Sequence, residues 1–235
     1  MQNRRNFIAQ SSMAATALLA AKSFKTFARL GSPITSSHVG NSLLFIHTGN
    51  FNNSADFSKT AENIQALRSK NAHTILLHAG TVPAELSHLN YAAPTPANKA
   101  LVSNASAYKL IYESDLKIGV ISCDPTENNS LNEINTLASY LKKVRKCNLV
   151  VCLSQLGYKN KHSIDDMKLA SGSSHVDVIL GGHTENFSTH PVVALNKNNE
   201  EVIINHSAGN SIPLGKILIG FNKGQKNNIA FKITG

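Results

Sequence analysis

Val176-Asp177-Val178-Ile179-Leu180-Gly181-Gly182-His183-Thr184 is an apolar run that stops at two glycines and a histidine. It is too short for a helix and rich in β-branched residues, so it reads as a strand buried on both faces. The glycine pair implies close backbone approach at the strand end. The histidine after it stands where open α/β sheets place their chemistry, just beyond the carboxyl end of a strand.

The flanking sequence repeats this grammar. Asn148-Leu149-Val150-Val151-Cys152-Leu153-Ser154 is a second buried strand, separated from the first by a short helix near Ser163 to Ser171. Before it, a helix from about Ser130 to Lys146 is begun by Asn128, Asn129 or Ser130 as cap. Tyr108 to Tyr112 and Leu116 to Ser122, joined at Glu113-Ser114-Asp115, read as a hairpin. Nearer the amino terminus, Leu43 to Thr48 and Thr74 to Gly80 are strands around a helical spacing of Ala61, Ile64, Ala66 and Leu67. Val82 to Ala107, with Pro83, Pro94 and Pro96, reads as a long loop with at most a short helical turn. Val192 to Leu195, Glu201 to Asn205, Lys216 to Phe221 and Ile229 to Ile233 follow as strands without helices. Alternating strand and helix followed by consecutive strands predicts an α/β fold of two packed mixed β-sheets flanked by helices.

Composition narrows the class. With 42% hydrophobic and 16% charged residues the chain can bury a full core, and no tract suggests disorder. The net charge is +9, but Arg4, Arg5, Lys22 and Lys25 face no acidic residue, and +9 − 4 leaves +5 for the remainder. The nearest cluster in that remainder, Lys142, Lys143, Arg145 and Lys146, reads as a solvated helix face, so no nucleic-acid partner is expected. Residues 1–28 have the logic of an export signal: basic Arg4 and Arg5, an apolar small-residue stretch from Met13 to Ala21, then a polar transition. Asn3-Arg4-Arg5-Asn6-Phe7-Ile8 is similar to the twin-arginine signature, and Ala28 suits the residue before a cut. The apolar stretch falls short of the ~20 residues a stable membrane span needs. The expectation is an export signal over 1–28, a linker over 29–40, a single domain over 41–235, and a place in the bacterial periplasm or cell envelope. Cys123, Cys147 and Cys152 lie in or beside apolar runs and are expected as buried thiols.

Read in order, the strand ends are His47-Thr48-Gly49-Asn50-Phe51-Asn52, His78-Ala79-Gly80-Thr81, Leu153-Ser154-Gln155-Leu156-Gly157 and Gly181-Gly182-His183-Thr184-Glu185. With Asp165-Asp166 ahead of Leu169-Ala170, and Leu214-Gly215 heading a strand, this set resembles the calcineurin-like metallophosphoesterases, most closely the metal-binding domain of 5'-nucleotidases. The resemblance runs from about Leu43 to about Phe221 and implies a four-layer sandwich.

In that family two metal ions about 4 Å apart clamp a phosphate ester. Their ligands are carboxylates, one of them bridging, completed by imidazoles. Here the resemblance puts Asn50 and Asn52 at the family's first Asp and His, Thr81 at the bridging Asp, and Gln155 at a later His. Of the final Gly-His-x-His only His183 remains, with Glu185 in the second histidine's place. The Gly-Asn-His motif has no counterpart. Neutral amides and hydroxyls leave two dications to repel each other, so the binuclear centre is expected to be lost and no cofactor is expected. His183 and Glu185 leave room for one weakly held divalent metal.

Several residues have plainer readings. His47 and His78 lie inside apolar runs as core histidines; His162, His175, His190 and His206 fall at loop or strand edges. Asp165 and Asp166 do not share a helix face and read as helix-start residues. Full-length 5'-nucleotidases carry a second, substrate-binding domain, whereas this chain stops soon after the fold's last strands. The reading is therefore a non-catalytic binding or interaction module, partnered by a separately encoded envelope protein or a small phosphate ester. The alternative is an active phosphoesterase with an altered or single-metal site around His183, Glu185 and Gln155.

Overall fold

A computed structural model of the 235-residue chain describes residues 42–49, 51, 56–94, 108–124, 131–159, 163–182, 191–207, 214–222 and 225–230. The expected export signal and linker lie outside them. In chain order the elements are β1 (Ser42–Thr48), α1 (Phe57–Lys70), β2 (Thr74–His78), a 3-10 turn (Ala84–Leu89), β3 (Ala93–Pro94), β4 (Lys109–Glu113) and β5 (Leu116–Cys123). Then come α2 (Leu131–Lys143), β6 (Leu149–Ser154), α3 (Asp166–Gly172), β7 (Val178–Gly181), β8 (Val192–Leu195), β9 (Glu201–His206), β10 (Leu214–Asn222) and β11 (Gln225–Ala230).

The strands form two mixed sheets. One has the order β11-β10-β1-β2-β3 and the other β4-β5-β6-β7-β9-β8. β1 and β2 run parallel, as do β5, β6, β7 and β9, while β4, β8, β10 and β11 run antiparallel to their neighbours.

Strand alternation sorts the apolar residues into three clusters and so fixes the layers. Leu43, Phe45, Ile75 and Leu77 of the first sheet meet Ile118, Val151, Leu153, Val178, Leu180 and Ile203 of the second. Leu44, Ile46 and Leu76 face the other way, onto Ile64 of α1 and Leu86 and Leu89 of the 3-10 turn. Val150, Cys152, Ile179, Val202 and Ile204 face Ile134, Ala138 and Leu141 of α2 and Leu169 of α3. Helix, sheet, sheet, helix is the expected four-layer sandwich, and its fully buried Leu and Ile side chains are each worth about 1.5–3 kcal/mol of burial.

The proline-containing segment holds the short helical turn allowed for it, a 3-10 turn whose Leu86 and Leu89, three apart, both find the core. The departures from expectation are local. α3 starts at Asp166 rather than Ser163, since Asp165 is its N-cap and accepts from Lys168 N at 2.7 Å. The lysine run at the end of α2 is partly committed: Lys142 Nζ sits 2.7 Å from Asp177 Oδ2, which also accepts from Val150 N at 2.7 Å. All three cysteines are buried thiols.

Candidate functional site

The carboxyl ends of β1, β2, β6, β7 and β9 gather a set of buried polar side chains, and strand alternation divides them among the layers. Between the sheets, His47 of β1 faces Asn205 of β9, with Asn205 Nδ2 2.8 Å from His47 Nε2. The amide donates here, so His47 carries its proton on Nδ1, which has no partner among the described residues. Burial, reinforced by the neighbouring His206 and His78, pushes this imidazole down to about 3, so it is neutral near neutral pH.

Outside the first sheet, Thr48 Oγ1 lies 2.7 Å from His78 Nδ1 and donates to Tyr91 Oη at 3.2 Å. Phe51 stacks on the His78 ring at 5.9 Å and Tyr91 meets it edge-on at 5.6 Å. Burial lowers His78 to about 4, against a hydrogen bond to the Thr81 backbone that acts in the opposite direction.

Outside the second sheet, Asp166 of α3 links two strand ends. His206 Nε2 of β9 is 2.7 Å from Asp166 Oδ2, and the Ser154 hydroxyl of β6 donates to Asp166 Oδ1. Leu156 N in turn donates to Ser154 Oγ at 3.1 Å. Both His206 and Asp166 are fully buried as side chains. Asp165 and Asp166 both stand at the start of α3 as expected, Asp165 as its N-cap and Asp166 as its first residue, and Asp166 is in addition a buried link between strands. His206 falls at a strand edge as expected, as the last residue of β9, but the parity of β9 turns it under α3, where it is buried.

Glycine makes these placements sterically available. Gly215 pairs with His47 across β10 and β1, and Gly181 with His206 across β7 and β9. Each imidazole lies over its glycine: a Cβ on Gly181 would stand 2.5 Å from His206 Nε2, and one on Gly215 would meet the His47 ring. Gly182 and Gly49 touch where β7 and β1 end, since a Cβ on Gly182 would lie 2.6 Å from Gly49 Cα and 2.6 Å from the Ala79 carbonyl oxygen. The expected close approach at Gly181-Gly182 is thus a contact between the two sheets at Gly182, while Gly181 makes room for the His206 ring within its own sheet.

Of the six expected site positions, two are described. Thr81 is exposed three residues past β2, and Gln155 directly follows β6, half-buried, with its backbone N–H donating to Cys123 O at 2.9 Å. Asn50, Asn52, His183 and Glu185 lie outside the described residues; the residues just before Asn50 and His183 are the touching pair Gly49 and Gly182. Sequence reasoning missed the convergence of His47, His78, Asp166 and His206. The available signal was that all three histidines fall at or beside predicted strand ends.

No family model matches the sequence, and no curated protein matches it. Solved structures do. NAD nucleotidase (NadN) from Haemophilus influenzae superposes with a TM-score of 0.68 at 14% identity, over 81% of this chain and 55% of that one. A 5'-nucleotidase precursor from Thermus thermophilus gives 0.61 at 18%, over 80% and 53%. The calcineurin-like phosphoesterase YfkN from Bacillus subtilis gives 0.55 at 15%, over 80% and 90%. This chain has the calcineurin-like metallophosphoesterase fold. It spans about half the length of the first two structures. Thr81 and Gln155, which the sequence reading set at family ligand positions, are a hydroxyl and an amide. Among the described residues no three His, Cys, Asp or Glu side chains form a group that could hold a metal ion.

Proposed function

We propose that this protein is an exported, metallophosphoesterase-fold module that binds a small phosphate ester or a separately encoded envelope protein without hydrolysing a phosphate ester. The reading rests on Thr81, three residues past β2, and Gln155, directly after β6, at the positions that the resemblance gives to a carboxylate and an imidazole. The buried imidazoles do not compensate, because His47 and His78 are engaged by Asn205 and Thr48. Support for export comes from Arg4, Arg5 and the apolar stretch Met13 to Ala21, and no described helix is long and apolar enough to cross a membrane.

Elemental analysis, melting with and without Mn²⁺ or Zn²⁺, and release of phosphate from nucleoside monophosphates test the reading together. A specific ligand of the native state raises its stability by mass action. The expected result is no stoichiometric metal, no metal-dependent melting shift and no phosphate release. Stoichiometric metal, with a shift lost in His183→Ala and phosphate release, would instead establish the phosphoesterase with an altered or single-metal site.

A further inference from the structure

The geometry points to β4 as a self-complementary edge on which a second copy of this chain adds, antiparallel about Ile111, to form a two-fold dimer. β4 is the first strand of its sheet, and among the described residues it pairs with β5 alone. An edge strand presents a row of backbone donors and acceptors to any chain that can match it.

What matches Lys109-Leu110-Ile111-Tyr112-Glu113 is the same five residues reversed. Antiparallel pairing centred on Ile111 sets Lys109 opposite Glu113 of the second copy, Leu110 opposite Tyr112, and Ile111 opposite itself. Each unlike pair occurs twice, as a two-fold interface requires. Residues directly opposite on antiparallel strands share a face with Cβ atoms about 4.5–5.5 Å apart. The faces agree with this register. Leu110 packs in the cluster beneath α2, whereas Ile111 packs against the core between the sheets. By alternation Tyr112 joins Leu110, and Lys109 and Glu113 join Ile111.

Register is decided by charge. A shift of two residues either way preserves the faces but sets Lys109 or Glu113 against Ile111. Centring on Ile111 pairs both charges and covers Tyr112, the most exposed large hydrophobic residue among the described residues at 64%. The strand is held in place for this from its own side. His73 Nδ1 lies 2.9 Å from Glu113 Oε1, the Lys117 ammonium lies 5.5 Å from the centre of the Tyr112 ring, and Arg145 Nη1 donates to Tyr108 Oη, just before β4, at 3.2 Å.

The test is the mass of the full-length chain by light scattering at the highest soluble concentration, with circular dichroism as the check on folding. Wild type is expected at dimer mass. Lys109→Glu, which opposes acid to acid, and Glu113→Lys, which opposes base to base, are each expected to halve it. A 1:1 mixture of the two variants is expected to recover the dimer, because the two acidic side chains of one chain then face the two basic side chains of the other. The double variant Lys109→Glu/Glu113→Lys, which restores the pairs within one chain, is also expected to dimerise. A monomeric wild type, or a dimer that survives either single reversal, overturns the assignment.

Discussion

At the scale of single residues, the site is organised by glycines that give imidazoles room. Gly215 and Gly181 lie beneath the His47 and His206 rings. A methyl group there overpacks a closed site, which costs about 1–3 kcal/mol. Gly215→Ala is expected to lower unfolding stability by that amount in urea titration, and by much less in a His47→Ala background, where the ring is gone. The non-additivity isolates the contact. Asp166 makes a harsher case. Replacing it with Ala takes from the His206 ring and the Ser154 hydroxyl the carboxylate they share, and orphaning a buried polar group costs about 1–3 kcal/mol. Asp166→Asn keeps the shape and one acceptor, so it is expected to unfold at a denaturant concentration between those of wild type and Asp166→Ala.

At the scale of elements, the neighbouring aspartates part company. Asp165 closes the start of α3 by accepting from Lys168 N, so Asp165→Ala is expected to cost about 1 kcal/mol, the ordinary value of an N-cap, and Asp165→Asn a few tenths. Guanidinium or urea midpoints of the two variants measure it. The same helix shows what sequence could and could not reveal. Strands β1, β2, β4, β5, β6, β7, β8, β9 and β10 were legible because apolar runs between turn residues have few other solutions. The layers followed, since alternating and then consecutive strands demand two sheets. What a linear reading lacked was which strand pairs with which. β9 goes parallel to β7 in one sheet and β10 antiparallel to β1 in the other, although both belong to the run of strands the sequence shows in succession. That choice is made by tertiary pairing, and it alone brings His206 to Asp166 and Asn205 to His47. The identities of Thr81 and Gln155 at strand ends were readable. The buried polar floor beneath them was not, because a histidine in an apolar run reads alike whether it packs alone or bridges two sheets.

At the scale of the whole molecule, that floor ties stability to pH. His47 and His78 have their folded-state values lowered to about 3 and about 4, mainly by burial, from an ordinary 6.5. The unfolded chain therefore binds protons at these two positions that the folded chain refuses. Stability rises with pH wherever the unfolded state holds more protons. The contribution is fully present above pH 6.5 and drains away as pH falls from there toward 4. Each histidine gives a slope of about 1.4 kcal/mol per pH unit in that window, so the two together act more steeply than either alone. The protein is expected to melt at a constant temperature from pH 7 to 8 and progressively lower from pH 6.5 to 4. Exchanging either ring for an amide, as in His47→Gln or His78→Gln, removes one titrating group. Either variant, though less stable at neutral pH, should lose less with acid than wild type does, because the proton its unfolded state took up is no longer there. Equal acid slopes in wild type and both variants would show that other groups govern the acid limit of this fold.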